Sequence, residues 1–305
     1  MMTALTTLYS VMRDKLLYIL FGLLLLVASA DGQESRRRLL LAQRPTSAAP
    51  SYLVDSLTGV KGAWSLRKLR AAYAGSAIRV RRSSDDTESD IGFATGGGLD
   101  TATLLTFCGA GDGFIRTVYD QVASTNLHQE NLTWQPQIVA GGATITAANG
   151  KPALLCVSQK LTNVVARIGP PFIQITVLEL QSGFANGSYA YGWSGSYSLR
   201  CYTAGSEQVR SASAFVALAD CGTADSLLTH FKDTSYVKGR VNAGNLYSAD
   251  DVATTVYASW AVGDSTSGTG TPANVKWQEL VIFHSDQMAQ ESVWQANINS
   301  FYSLW

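Results

Sequence analysis

The sequence predicts an all-β protein whose folded part is a two-sheet antiparallel β-sandwich. After residue 160, short apolar and β-branched segments alternate with turns rich in Gly, Ser and Asn. Many short strands at regular spacing, without alternating strands and helices, are typical of a sandwich. The 305-residue chain is 46% hydrophobic and 15% charged, so it can bury one sizeable core.

Segments with apolar residues at helical spacing lie near both ends of the expected folded domain. Apolar residues at intervals of three and four predict a short N-terminal helix over 60–74, which Gly75 ends. The same spacing predicts a C-terminal helix over 288–302. A shorter helix is expected over 99–107, because Asp100 can cap its first turn.

Apolar, aromatic and β-branched residues predict the strands themselves. The expected strands are 77–81, 114–120, 136–139, 153–157, 174–180, 189–193, 197–202, 214–219, 226–232, 236–241, 254–262 and 276–283.

The first 30 residues predict a secretory signal peptide. Arg13 and Lys15 precede an almost unbroken apolar run over 16–28, and Ala-Ser-Ala at 28–30 suits a cleavage site. An uncleaved membrane anchor is the alternative, although a span needs about 20 apolar residues and this run is shorter.

Residues 31–50 are expected to form a linker or propeptide, because Gly, Ser, Arg, Ala and Pro occur there with little apolar periodicity. The folded domain is therefore expected at 51–305. We expect the protein to be secreted, or anchored at the surface if the leader stays in place, and only then to have a membrane as partner.

The charge balance argues against nucleic acid as a partner. Lys and Arg together number 23, as do Asp and Glu, so the chain has no net field that attracts phosphates. His128, His230 and His284 lack metal-ligand spacing, and no nucleotide-binding motif occurs. No metal and no cofactor are expected.

Four cysteines follow the leader, and an even number in a secreted chain favours two disulfides. Three pairings are open. We favour Cys201–Cys221, across one predicted strand–loop–strand unit, together with Cys108–Cys156. Buried free thiols are the alternative.

Two sequons predict a glycoprotein in a eukaryotic secretory route. They begin at Asn131 and Asn186, each followed two residues later by Thr or Ser.

Five segments of the sequence carry recognisable motifs: AWSLRKLRAAYAGSAIRVRRSSDD at 63–86, Phe107-Cys108, FIRTVYDQ at 114–121, Asn149-Gly150-Lys151 and WQELVIFHSD at 277–286. Together they resemble the catalytic domain of the alpha-L-arabinofuranosidase B family, over roughly residues 60–305. The resemblance implies a concanavalin-like jelly roll, also related to lamin-G-like sandwiches, and a plant-type or algal polysaccharide as partner. We expect no counterpart of the family's arabinose-binding domain in this sequence.

The resemblance carries over one catalytic residue. The turn GDSTSG at 263–268 matches the family's Gly-Asp-x-x-x-Gly turn, so Asp264 is the implied acid/base. Retaining glycosidases need a second carboxyl about 5–5.5 Å away as nucleophile. The corresponding segment, YSLRCYT at 197–203, contains no acid, and Glu179 and Glu207 are the nearest glutamates. Asp264 as a turn-capping residue is the alternative.

Three further residues are expected to contact a sugar. Trp193 lies in a Gly- and Ser-rich turn suited to ring stacking, with Tyr191 beside it on the same strand. Asp120 ends a predicted strand and can accept bonds from sugar hydroxyls. Anchoring its own loop is the alternative for Asp120, and core packing is the alternative for the aromatic residues.

We therefore expect a carbohydrate-interacting protein on an arabinofuranosidase-B-like scaffold, which serves binding or adhesion with degenerate catalysis. The first alternative is an active retaining hydrolase of arabinofuranosidase type. The second is a structural surface or virion coat protein that builds an assembly from its sandwich. The missing nucleophile favours the binding and structural readings, because an acid at that position cannot be replaced.

Overall fold

The computed structural model describes residues 52–181, 188–193, 197–201, 207–210, 214–218, 224–253, 257–264 and 274–305. Every described residue lies in one compact unit, Ser51–Trp305. The expected leader and linker lie outside the described residues. Among the residues described, no helix is both long and apolar enough to cross a membrane.

Short strands are the main regular structure of the described chain. They are β1 Val60–Ser65, β2 Ile78–Arg82, β3 Glu88–Ile91, β4 Gly113–Val118, β5 Leu127–His128, β6 Gln137–Ala140, β7 Ala143–Thr144, β8 Leu154–Cys156, β9 Leu161–Ile168, β10 Phe172–Leu180, β11 Ser188–Trp193, β12 Tyr197–Cys201, β13 Glu207–Arg210, β14 Phe215–Ala217, β15 Asp225–Lys232, β16 Tyr236–Val241, β17 Tyr247–Asp250, β18 Tyr257–Val262 and β19 Val275–Phe283.

The helices are few and short. They are α1 Thr101–Cys108 and α2 Glu291–Tyr302, with 3-10 turns at Leu53–Ser56, Leu132–Trp134 and Met288–Gln290.

Antiparallel ladders join these strands into two layers. The first sheet has the order β17-β16-β15-β10-β19, and β19 also pairs with β1 and β8 along its other edge. The second has the order β14-β13-β12-β11-β18-β9-β5-β4. Strand β4 also pairs with β2 and β6, and β6 pairs with β8 beside β19, so these strands connect the second sheet to the first.

The main core lies between the two sheets. Leu228 and Val237 of the first sheet and Val209 and Trp260 of the second belong to one buried cluster. Alternate residues of a strand point to opposite faces, so the outer face of β10 must also be covered. A second cluster does this by packing helix α2 against β10, β15 and β19. The predicted two-sheet antiparallel sandwich with a C-terminal helix is confirmed.

The predicted helix over 60–74 is wrong. Val60–Ser65 forms β1 instead, with Ala63 opposite Val281 of β19, and Trp64 is fully buried in the core. Pairing with a distant strand overrides the local helical spacing, because that spacing measures only which residues share a face. The shorter helix predicted near residue 100 does form, and the Asp100 side chain accepts a bond from the Thr103 amide.

Candidate functional site

Asp264 extends from the end of β18 in the second sheet. In the last pair of that strand, Val262 lies between Leu161 of β9 and Tyr191 of β11. Gly263 then turns the chain, with its amide donating to the Ala190 carbonyl at 2.8 Å. Three neighbouring strands therefore position the aspartate.

The glycine before Asp264 has no substitute at this turn. Its φ is +88°, in the left-handed region that disfavours side chains. A Cβ there would lie 2.3 Å from the Gln159 carbonyl oxygen and 3.1 Å from the Cys156 sulfur. The structure thus explains why the first residue of the Gly-Asp motif is a glycine.

Lys160 holds the Asp264 carboxylate. Its Nζ lies 3.2 Å from Asp264 Oδ2, and the two side chains are 13% and 6% exposed. A charge this far removed from water is tolerated only when it is paired, so each residue keeps the other in place. The alternative role of Asp264 as a turn cap involves residues 265–270, which lie outside the described residues.

Trp134 completes the site, and sequence analysis missed it. The Lys160 ammonium lies 5.0 Å from the centroid of its ring, and the Lys160 amide donates to its carbonyl at 3.0 Å. The side chain is nevertheless 47% exposed. A signal was available, because Trp134 directly follows the expected glycosylation sequon, in a polar segment.

The sequon itself shapes the turn that carries Trp134. Asn131 precedes the 3-10 turn Leu132–Trp134, and its Oδ1 accepts from the amide and the hydroxyl of Thr133. Asn131 is exposed. The second expected glycosylation site, Asn186, lies outside the described residues.

Tyr191 is buried in the core, so its predicted contact with a sugar is corrected to core packing. Its side chain is 1% exposed and stacks on Trp260 in the core, with centroids 5.7 Å apart. The side chain of Trp193, the expected stacking residue, lies outside the described residues, although its backbone belongs to β11.

Asp120 is also turned inward, so its predicted role in sugar binding is corrected to that of a loop anchor. One carboxylate oxygen accepts from the Ala63 and Val122 amides, and the other accepts from the Thr125 hydroxyl at 2.7 Å. The side chain is buried and ties β1 to the loop after β4. The alternative of loop anchoring explains these contacts.

The favoured disulfide between Cys108 and Cys156 is not formed. Both residues are free, buried thiols. Cys156 lies on β8, packed beside Gly263, and burial raises the pKa of its thiol to about 12. Of the other favoured pair, the Cys201 side chain and Cys221 lie outside the described residues.

Glu179, one of the two glutamates considered as nucleophile, belongs to a different cluster. It lies on β10 of the first sheet, where its carboxylate accepts from the Ala148 amide at 2.7 Å and from Lys276 at 3.4 Å. Directly opposite lies Asp225, whose pKa is raised by burial first and by the Glu179 charge as well. The Glu207 side chain lies outside the described residues.

A cavity of about 300 Å³ opens on another part of the molecule, between the loop before α1 and the end of α2. Lys151, Phe301 and Tyr302 contribute to its wall. None of the three site residues Asp264, Lys160 and Trp134 lines it. Within the described residues, no group of His, Cys, Asp and Glu side chains could hold a metal ion.

Known proteins share this architecture. Residues 55–171 match the family model described as Alpha-L-arabinofuranosidase B, catalytic. An arabinofuranosidase complexed with arabinofuranosyl-alpha-1,2-xylobiose aligns with a TM-score of 0.66 and 16% identity, over 83% of this chain and 65% of that chain. A GH54 a-l-arabinofuranosidase soaked with a cyclic sulfate inhibitor aligns with a TM-score of 0.62, at the same identity and coverage.

The chain therefore spans 65% of the length of these arabinofuranosidase structures. No curated protein matches it in sequence. At 16% identity the structural likeness concerns the fold. The resemblance expected from the sequence is confirmed: residues 55–171 match the alpha-L-arabinofuranosidase B catalytic family, and over 83% of its length the chain has the β-sandwich fold of arabinofuranosidases.

Proposed function

We propose that this protein binds carbohydrate at the Asp264 site and serves binding or adhesion on its arabinofuranosidase-like scaffold. One observation carries the proposal. An exposed aromatic ring, Trp134, lies against the buried Lys160–Asp264 pair, at the position where the family's motif puts its acid/base. An apolar ring next to a few oriented polar groups is the usual composition of a sugar site.

The distribution of carboxylates supports binding without hydrolysis. Retaining hydrolysis needs two carboxyl groups about 5–5.5 Å apart. The strand that corresponds to the family's nucleophile, Tyr197–Cys201, contains no acid. Glu179 is engaged by Ala148 and Lys276 on the first sheet, whereas Asp264 extends from the second.

An active hydrolase of arabinofuranosidase type is the second candidate. The placement of Asp264 in the Gly-Asp turn favours it, because a general acid must be held rigidly beside the leaving group. This candidate requires a nucleophile beside Asp264, and the side chain of Glu207, one of the two glutamates considered for that role, lies outside the described residues.

Two measurements on the same samples separate the candidates. Arabinofuranosyl-xylobiose binding is measured by calorimetry, and sugar release from a nitrophenyl arabinofuranoside by absorbance. We expect the wild type to bind without release, and Asp264→Asn to bind more weakly because it loses a charged hydrogen-bond acceptor. The matched control is Asp250→Asn, an exposed carboxylate on the edge strand β17.

Release by the wild type that Asp264→Asn abolishes would establish the hydrolase instead. If the wild type neither binds nor releases sugar, the carbohydrate proposal is rejected. Urea unfolding of Asp264→Asn checks that lost binding does not reflect lost folding, because the substitution leaves Lys160 without its charge partner.

A further inference from the structure

We infer that the cavity between the loop before α1 and the end of α2 binds a small carboxylate that carries one apolar ring. None of the residues that form the Asp264 site lines this cavity, so the second site is independent of the proposed function. Its volume of about 300 Å³ lies at the small end of the range for ligand sites, about 300–1,000 Å³. The cavity therefore suits a single ring and not a polymer.

Lys151 gives the cavity wall a positive charge. Its side chain is half-buried, and its ammonium lies 5.0 Å from the centroid of the Phe301 ring. Among the residues that the structure describes, no carboxylate lies within ion-pair distance of this ammonium. A partly desolvated ammonium without a counterion is stabilised by an anion, and a carboxylate accepts its hydrogen bonds strongly.

The other charged groups close to the cavity are already matched. Arg67 donates to both carboxylate oxygens of Glu279, at 2.6 and 2.9 Å. Tyr302, which lines the cavity, donates its hydroxyl to the same carboxylate at 3.1 Å. The Asp100 carboxylate is engaged as the cap of α1. Neither carboxylate belongs to the described wall, so a ligand meets the charge of Lys151.

The apolar part of the wall favours an aromatic ring over a sugar. Leu66, Leu99 and Pro152 line the cavity with aliphatic surface. The tip of the Phe301 ring, Cζ, lies 3.9 Å from the position that a Cβ on Gly98 would take. The edge of a phenyl ring is positive and prefers the face of another aromatic ring. An aromatic carboxylate therefore satisfies both the wall and the ammonium.

The loop before α1 adds hydroxyl donors that can orient the carboxylate. Thr95 and Thr101 line the cavity before and after the glycine-rich segment 96–98. The backbone fixes this loop, because the Gly97 amide donates to the Ala94 carbonyl at 2.9 Å and the Ala94 amide donates to the Gly98 carbonyl at 2.8 Å. Donors that are already in place cost little ordering on binding.

Fluorine NMR of para-fluorobenzoate with the full chain tests the inference. We expect the fluorine resonance to shift and broaden in a saturable manner. The affinity should fall as salt is raised, because screening weakens an ammonium–carboxylate contact that is only half-buried. The probe para-fluorobenzamide, which has the same shape without the charge, should bind about tenfold more weakly or not at all.

Two substitutions in the wall make the test specific. Lys151→Met removes the charge and should weaken para-fluorobenzoate binding about tenfold or more, whereas Lys61→Met, at an exposed lysine of β1, should bind like the wild type. Gly98→Ala adds a methyl group inside the cavity and should also weaken binding. Its control is Gly92→Ala, where no atom lies within 4 Å of the added Cβ. Neither glycine has a positive φ, so thermal unfolding should be unchanged in both variants.

Each outcome supports or overturns the inference. Saturable binding that Lys151→Met and Gly98→Ala weaken, and that both controls retain, supports it. No binding of para-fluorobenzoate by the wild type, or unchanged binding by Lys151→Met, overturns it. Equal binding of para-fluorobenzamide overturns the role of the charge, and equally effective competition by glucuronate overturns the apolar ring.

Competition with arabinofuranosyl-xylobiose separates this site from the proposed function. The oligosaccharide should not displace para-fluorobenzoate, because none of the residues of the Asp264 site lines the cavity. Displacement would place the probe at the Asp264 site and reject the cavity as a separate site. If para-fluorobenzoate binds and the oligosaccharide does not, the proposed function is rejected and the cavity site stands.

Discussion

Single residues decide the geometry of the Asp264 site. Gly263 turns the chain where a side chain would collide with the Gln159 carbonyl, and the aspartate that follows meets Lys160. Lys160 in turn contacts the Trp134 ring. Three segments distant in sequence are therefore coupled through one glycine and one ion pair.

Replacing Gly263 by Ala should destabilise the protein and weaken sugar binding together. The φ of +88° costs about 1–3 kcal/mol for a residue with a side chain, and the 2.3 Å approach to the Gln159 oxygen adds displacement of the turn. Urea unfolding and calorimetry measure the two effects.

Gly150→Ala is the matched control for this substitution. Its φ is +72°, but no atom lies within 4 Å of its Cβ position, so it carries the backbone cost without the collision. Equal losses for Gly150→Ala and Gly263→Ala would show that the collision plays no part.

At the scale of elements, one buried network joins β19, helix α2 and the segment after β1. Arg67 donates two bonds to Glu279 of β19, at 2.6 and 2.9 Å, and a third to Asn297 of α2. The Tyr302 hydroxyl of α2 donates to the same carboxylate at 3.1 Å. The network keeps the C-terminal helix in register with the sheet that it covers.

Glu279→Gln should therefore cost about 3–5 kcal/mol of unfolding free energy, because it leaves the Arg67 charge buried without its counterion. The side chains of Arg67 and Glu279 are only 4% and 1% exposed. The comparison is Arg79→Met, which breaks an ion pair whose partners are 42% and 39% exposed and should cost about 0–1 kcal/mol. Equal losses of unfolding free energy in Glu279→Gln and Arg79→Met would show that the buried network contributes no more to stability than the exposed ion pair.

At the scale of the whole molecule, the core between the sheets contains a buried histidine that makes the stability of the fold depend on pH. His230 of β15 is fully buried with its ring against Phe172, centroids 5.9 Å apart. Burial lowers the pKa of His230 to about 3, and the Lys232 charge acts in the same direction. The folded protein therefore keeps this imidazole neutral under conditions in which the unfolded chain protonates it.

The pH dependence of stability follows from that difference. Between the unfolded pKa of about 6.5 and the folded value of about 3, the unfolded chain binds the extra proton. Stability contributed by neutral His230 is then present above pH 6.5 and is lost as the pH falls towards 3, by an amount on the order of a few kcal/mol.

Urea unfolding at several pH values measures this loss. His230→Gln should flatten the pH dependence between 6.5 and 3, whereas His284→Gln, at an exposed position, should leave it unchanged. If the pH dependence of the unfolding free energy is the same in His230→Gln as in the wild type, other groups cause the loss of stability in acid.

Much of the fold was predictable because its signals are local. Apolar alternation located β10 and β15, and the cap at Asp100 located α1. The motif at Gly263 and Asp264 pointed to the centre of the site that we propose. Trp134 was missed because its exposure depends on how the Leu132–Trp134 turn meets Lys160, and that contact is not a property of either segment alone.

By itself the sequence determined the antiparallel strand pattern, the C-terminal helix and the family resemblance, since each depends on spacing or identity along the chain. Only the tertiary structure decided that Val60–Ser65 is a strand, that Tyr191 and Asp120 are buried and that Cys108 and Cys156 remain thiols. The physical reason is that burial and pairing depend on residues far away in the chain. A local pattern states which residues share a face but not what covers that face.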